Sequence, residues 1–171
     1  MKYVLIIQDF SSWLTAAIPL RNKTEAKIQF IDWMKRFTTA SSFKIECIRT
    51  DNGSEFKNST ISAFTTQHGI AHELSIPYEH HQNGCIERTN QTLIDIARTS
   101  LISAGIPARL WPYSFKHSAF IFNRVLHADL DKTPYKIVSG LKPTLLLLKV
   151  FGAKAYLFII CTGKILARGD L

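Results

Sequence analysis

Several things are scarce in this sequence, and each scarcity excludes a class. Cysteine occurs three times in 171 residues, at Cys47, Cys85 and Cys161. An odd number without repeating spacing argues against a disulfide framework and agrees with a reducing compartment. No apolar run approaches the roughly 20 residues that span a bilayer. The opening "MKYVLIIQDF" is broken at Gln8 and Asp9 before it reaches signal-peptide length, and "TLLLLKVF" is far too short to cross. The expectation is an intracellular protein, of nucleus and cytoplasm. Internal repeats, low-complexity tracts and linkers are missing too, so one folding unit is expected. Acid is scarce in one half only. Residues 101–171 carry 3 Asp/Glu against 10 Lys/Arg, whereas residues 1–100 carry 10 against 11. What remains is 46% hydrophobic and 20% charged, an ordinary globular composition with a net charge of +8. A basic balance of this kind suits a polyanion such as nucleic acid, because phosphate contacts release condensed counterions.

Periodicity then predicts the elements. Residues 3–9 and 13–20 are β-branched and apolar runs separated by "FSS", hence an antiparallel hairpin. Asn22 with Glu25 resembles a capping box, after which Ala26, Phe30, Trp33, Met34 and Phe37 recur at helical spacing. Residues 43–50 alternate and end at Asp51 as a third strand, a short helix over 58–68 is closed by Gly69, and 70–75 is a fourth strand. "IPYEHHQNG", 76–84, is aperiodic and reads as loop. From there to about 103 the positions Ile86, Leu93, Ile96, Ala97 and Leu101 line one side of a long helix, with Glu87, Gln91 and Arg98 on another stripe. A further helix covers about 108–126, "TPYKIVSGLKP" is loop-like, and "VFGAKAYLFII" is a β-rich run. Strands alternating with helices after a hairpin give an α/β domain with a mixed sheet.

One short stretch bears on chemistry. In "IRTDNGSEFK" an apolar run ends on Asp51, and Gly53 two residues later lets the backbone turn sharply. An aspartate fixed at a strand tip and partly exposed can be an ordinary turn residue or a metal ligand. Glu87, 36 positions on in the first turn of the predicted long helix, is a second carboxylate on a separate element. Mg2+ and Mn2+ take hard oxygen ligands and keep several waters, so two or three converging carboxylates suffice to hold them.

The segments "RTDNGSEF", "GIAHELSIPYEHHQNGCIERTN", "RTSLISAGIPARLWPYSF", "NR", "TPY" and "KPTLLLLKVFGAKAY" follow one another in an order that resembles the catalytic core of retroviral-type integrases. The last three resemble the Ty/copia group of LTR retrotransposons. The match is colinear over about residues 3–158 and includes the Asp-x35-Glu spacing of the DDE signature. The resemblance implies a ribonuclease H-like fold, metal-dependent DNA strand transfer, and Asp51 and Glu87 as two catalytic, metal-binding carboxylates served by Mg2+ or Mn2+. It places His81, Gln82, Asn83, Gly84, Asn90 and Gln91 against DNA, the retrotransposon's cDNA ends and the target, with other integrase protomers as further partners. It also implies a division into a partial core, 1–128, and a C-terminal extension, 129–171, with a divergent tail after Phe158.

The pattern of that family needs a third carboxylate on a first, central strand, and that strand precedes the hairpin with which this sequence begins. Asp9 aligns with a hairpin position one strand over, which is not a ligand in the resemblance. The expectation is therefore a core lacking its central strand, with two facing strand edges unpaired, and weak metal binding. A polypeptide cut short at both ends would have little strand-transfer activity by itself. The competing readings are a non-catalytic nucleic-acid-binding module and a translated pseudogene fragment without function.

Two smaller patterns read as structure. His68, His72, His80, His81 and Cys85 have a zinc-like look, but His68 and His72 straddle a helix end and a strand. Trp33 with Phe37 and Trp111 with Phe115 are at helical spacing and read as core rather than as base-stacking platforms.

Overall fold

The computed structural model describes the chain except Met1, Ser42, Asn52, Ser54, 75–79, Leu147, Leu157, Phe158, Thr162, Gly163 and 167–171; for Ala40, 80–83, 159–161 and 164–166 it describes the backbone alone. A hairpin opens it. Strand β1, Tyr3–Gln8, pairs antiparallel with β2, Thr15–Leu20, in a register that sets Tyr3 opposite Leu20 and Gln8 opposite Thr15. Asp9 closes the loop between them. Its Oδ2 accepts from Ser11 Oγ and from the Ser12 N–H, both at 2.8 Å, and Trp13 completes the turn at φ 60. This commits Asp9 to the turn.

Because side chains alternate along a strand, the hairpin feeds two cores. Leu5 and Leu20 face helix α1, Ala26–Ala40, and join Phe30, Met34, Ile48 and Ile61. Ala17, with Val4 and Ile6 packed beside it, joins Leu93, Ala97, Phe115, Ala119 and Phe122 from two later helices. Burying a side chain such as Phe30 or Leu93 is worth about 1.5–3 kcal/mol, and neither cluster is complete without the hairpin.

Helix α1 starts where its sequence signals it. Asn22 accepts from the Glu25 N–H at 3.1 Å, Glu25 Oε2 accepts from the Arg21 N–H at 2.9 Å, and one 3-10 turn leads into Ala26. Strand β3, Cys47–Thr50, is followed by α2, Ser59–His68. Asn58 caps α2, accepting from the N–H groups of Thr60 and Ile61, and Gly69 ends it at φ 63, a left-handed conformation that costs glycine little. Strand β4, Ala71–Leu74, runs parallel to β3. Among the described residues β1 pairs only with β2, and β3 only with β4. The division of the sheet into two pairs is as expected.

Helix α3 spans His80–Ala104, so it begins earlier than expected. Residues 80–84 are helix rather than loop; 76–79 of that expected loop lie outside the described residues. Cys85 and Thr89, one turn apart, both meet Gln8: Gln8 Nε2 donates to Thr89 Oγ1 at 2.9 Å, and Cys85 Sγ lies 3.9 Å from Gln8 Oε1. These contacts anchor the helix start to β1 and offset the roughly 1 kcal/mol that an interior glycine such as Gly84 costs. Ile86 is exposed rather than on the buried side, and Thr89 takes the inward position.

The next predicted helix divides into a 3-10 turn, Ala108–Leu110, and α4, Trp111–Phe122. Ser114 and Ser118, both fully buried, let α3 and α4 approach closely, and Ser114 Oγ donates to the Ala97 carbonyl at 2.8 Å. "TPYKIVSG" is not loop: Thr133 caps a short helix α5, Pro134–Ser139, with Pro at its first position and Gly140 after its last. Among the described residues of the β-rich run, Ile159 and Ile160 are strand, as part of β5, Ile159–Cys161, which pairs with β6, Lys164–Leu166. The aromatic stripes are structural: Trp33, packed against the first core cluster, stacks on Phe37 at 5.1 Å, and Trp111 meets Phe115 of the second edge-on at 5.9 Å.

Candidate metal centre

Asp51 stands one residue beyond β3 and is exposed. Its Oδ1 accepts from the Gly53 N–H at 3.1 Å, and the Gly53 carbonyl accepts from Phe56 and Lys57 N–H groups at 3.1 and 3.2 Å. Phe56 pins this turn to the core by meeting Phe30 edge-on at 5.8 Å. The aspartate is thus held by its own turn, and the turn by an aromatic anchor.

A carboxylate that the sequence reading did not single out comes beside it. A Cβ built on Gly53 would lie 2.9 Å from Asp51 Oδ1 and 2.8 Å from Glu55 Oε2. The two oxygens therefore reach toward the same point, and only a glycine leaves that point free. The signal was present in "DNGSEF", where a tight turn returns the fifth residue toward the first, but spacing alone does not give the direction of a side chain in a turn.

Glu87 lies two turns into α3, not in its first turn, and is exposed. It is carried by a helix whose core partners are β2 and α4, while Asp51 is carried by the β3–β4 pair, whose core partners are α1 and α2. The hairpin between the two clusters is what links them. Among the described residues no group of three His, Cys, Asp or Glu side chains is gathered closely enough to hold a metal ion. The donor chemistry suits a hard dication nonetheless: neither Asp51 nor Glu87 belongs to an ion pair among the described residues, where Asp32 with Arg36 and Glu73 with Arg49 are the pairs formed.

The end of β3 is pinned from both faces. On one, Thr50 Oγ1 and His72 Nε2 are hydrogen-bonded at 2.8 Å. On the other, Arg49 Nη2 and Glu73 Oε2 are 2.8 Å apart. That guanidinium, through its hydrogen bond first and its charge second, holds the Glu73 carboxyl below the usual range. Burial, and then the neighbouring Glu73, push the Cys47 thiol up.

Of the residues expected at DNA, Asn90 and Gln91 are exposed on α3, and Gln91 Nε2 donates to Asp95 at 3.1 Å. Gly84 is half-buried, its carbonyl accepting from Arg88 Nε at 3.2 Å. His81, Gln82 and Asn83 belong to the helix by their backbone, and their side chains lie outside what is described. Of the zinc-like set, the described members are engaged elsewhere: His68 stacks on Phe64 at 4.2 Å, His72 bonds Thr50, and Cys85 lies against Gln8, while the side chains of His80 and His81 lie outside what is described. No helix among the described residues is long and apolar enough to cross a membrane.

No family model matches the chain. Over 156 residues, 91% of the chain, it is 30% identical to the retrovirus-related Pol polyprotein from transposon RE2 of Arabidopsis thaliana. Over 155 residues, 90% of the chain, it is 27% identical to that from transposon TNT 1-94 of Nicotiana tabacum. It spans only 11% and 12% of the length of these relatives. Among solved structures it matches the catalytic core domain of BIV integrase with a TM-score of 0.58 at 18% identity, covering 78% of this chain and 83% of that one. Along nine-tenths of its sequence this protein is related to Ty1/copia-type retrotransposon Pol polyproteins, and it shares the fold of a retroviral integrase catalytic core.

Proposed function

We propose that this polypeptide derives from the DNA-joining core of a retrotransposon integrase, with Asp51 and Glu87 as carboxylate ligands for Mg2+ or Mn2+. The observation that carries the reading is the turn at Asp51: a carboxylate fixed at a strand end by the Gly53 N–H, exposed and free of any ion pair among the described residues. Paired divalent ions in such centres activate the attacking oxygen and stabilise the leaving one. The protein's part is to fix the carboxylates and to exclude other cations from them. Asp51 is fixed by its turn, and Glu87 by a helix tied to β1 through Gln8. Two ligands hold two mutually repelling dications poorly, so metal binding by Asp51 and Glu87 alone is weak.

In this reading residues 1–128 form the core and 129–171 an extension. The amides of Asn90 and Gln91, with His81 to Gly84 at the start of α3, face cDNA ends or target DNA, other integrase protomers serve as partners, and the protein acts in nucleus and cytoplasm. The test is Mn2+ titration followed by paramagnetic broadening, paired with an end-nicking and strand-transfer assay. Weak broadening at Asp51, abolished by Asp51→Asn and reduced by Glu87→Gln, with no strand transfer, is expected. Broadening indifferent to both substitutions removes the site.

A second reading rests on charge. Residues 132–169 contain seven Lys/Arg and no Asp/Glu, which favours nucleic-acid binding without catalysis. It predicts DNA affinity that falls linearly with salt on logarithmic axes and that does not respond to Asp51→Asn.

A further inference from the structure

We propose that His72 is a positioning residue for Asp51, acting through the hydroxyl of Thr50; the inference rests on Asp51 being a ligand, as proposed above. Thr50 is the last residue of β3 and Asp51 the first beyond it, so whatever fixes Thr50 sets where the carboxylate starts. In the parallel register Ile48 faces His72 and Thr50 faces Leu74. Positions 48, 50, 72 and 74 therefore share one face, and the Thr50–His72 bond runs diagonally across it. Thr50 is 9% exposed. A hydrogen bond in that setting is worth about 1 kcal/mol and is costly to break, since it leaves a buried hydroxyl unpaired. Thr50 is also β-branched, so its χ1 has few options, and tethering its hydroxyl fixes its backbone as well.

The link on the opposite face is of another kind. The Arg49 and Glu73 side chains are 46% and 53% exposed, and such a pair contributes little and is screened by salt. The two links join neighbouring residues of the same two strands, yet only the histidine link fixes the terminal residue of β3 from its buried side. Arg49→Ala is therefore a matched control. It loosens the strand pair without touching the tether that leads to Asp51.

The experiment reads Asp51 directly in the isotope-labelled 171-residue chain. Metal-free, the 13C carboxyl resonance of Asp51 is expected to be single and narrow in the unsubstituted protein. It should broaden or split in His72→Ala and Thr50→Val, stay narrow in Arg49→Ala, and recover in Thr50→Ser and His72→Gln, which keep a hydrogen-bonding group. With Mn2+ added, His72→Ala should weaken the apparent affinity about tenfold, the usual scale for partners that orient a ligand. An Asp51 resonance unchanged by His72→Ala, or changed equally by Arg49→Ala, overturns the proposal. So does failure of both conservative variants to restore it. Absence of Mn2+ binding in the unsubstituted chain removes the functional reading and leaves the metal-free comparison to decide this one.

Discussion

The side-chain amide of Asn123 pairs with both backbone groups of Thr15: Oδ1 accepts from the Thr15 N–H at 2.8 Å, and Nδ2 donates to the Thr15 carbonyl at 2.7 Å. Thr15 is the first residue of β2 and is 2% exposed. The "NR" and "TPY" motifs gain a structural meaning from this lock. Asn123 joins the end of α4 to the hairpin, and its own carbonyl accepts from the Tyr135 N–H at 2.9 Å. Asn123→Leu leaves a buried donor and acceptor without partners. A loss of about 2–4 kcal/mol is expected, with unchanged denaturant slope, measured by urea unfolding.

Arg124, the next residue, lies between two rings. Its guanidinium carbon is 3.5 Å from the Phe120 centroid and 4.7 Å from that of Tyr135, and Nη1 donates to the Phe120 carbonyl at 3.1 Å. A planar cation suits this slot and an ammonium does not. Arg124→Lys is expected to cost about 1 kcal/mol and to speed amide exchange across α5, read by hydrogen–deuterium exchange.

Gly53→Ala tests the crowding at the candidate centre. The added methyl would meet Asp51 Oδ1 and Glu55 Oε2 below 3 Å, so one carboxylate must swing away. The melting temperature should hardly change, because both are flexible side-chain ends, while Mn2+ binding at Asp51 weakens. Combining it with Glu55→Ala frees one side and should recover part of the affinity. Equal affinity in the single variant and the unsubstituted protein would count against Asp51 as ligand.

His117 supplies a dependence on pH. Its ring is 5.5 Å from that of Phe151, and burial holds its pKa below the ordinary 6.5. A base with a depressed folded-state pKa binds fewer protons folded than unfolded, so stability falls as pH drops through 6.5 and stops falling below the folded value. After correction for the intrinsic pH dependence of amide exchange, protection of the amides around Phe151 should fall between about pH 7.5 and 5.5, and His117→Gln should flatten that response.

Elements with strong end signals were legible in the sequence. Asn58 and Gly69 bracket α2, Asn22 and Glu25 open α1, and the alternation before Asp51 marked the end of β3, although of the expected 43–50 only Cys47–Thr50 is strand. The misreadings have separate causes. His80–Gly84 carries Asn and Gly, poor helix formers, yet is helical because Gln8, far away in sequence, grips Cys85 and Thr89. Helix α5 did show a cap and a proline in "TP", but six residues are too few to display a period. At the site, Asp51 and Glu87 were visible as residue types at a spacing. Glu55 was not, and His72 was noted only within a zinc-like pattern, because one depends on the path of a turn and the other on which strand lies beside β3.

The six residues of β1 serve two interiors by turns, Leu5 and Ile7 on one side, Val4 and Ile6 on the other. A copying error that added or removed one codon there would rotate every later side chain of the ribbon onto the wrong side and empty both interiors at once. Exchange of one aliphatic for another would disturb a single interior and be absorbed. Drift in this gene should therefore tolerate spelling changes along 3–8 far better than changes of length.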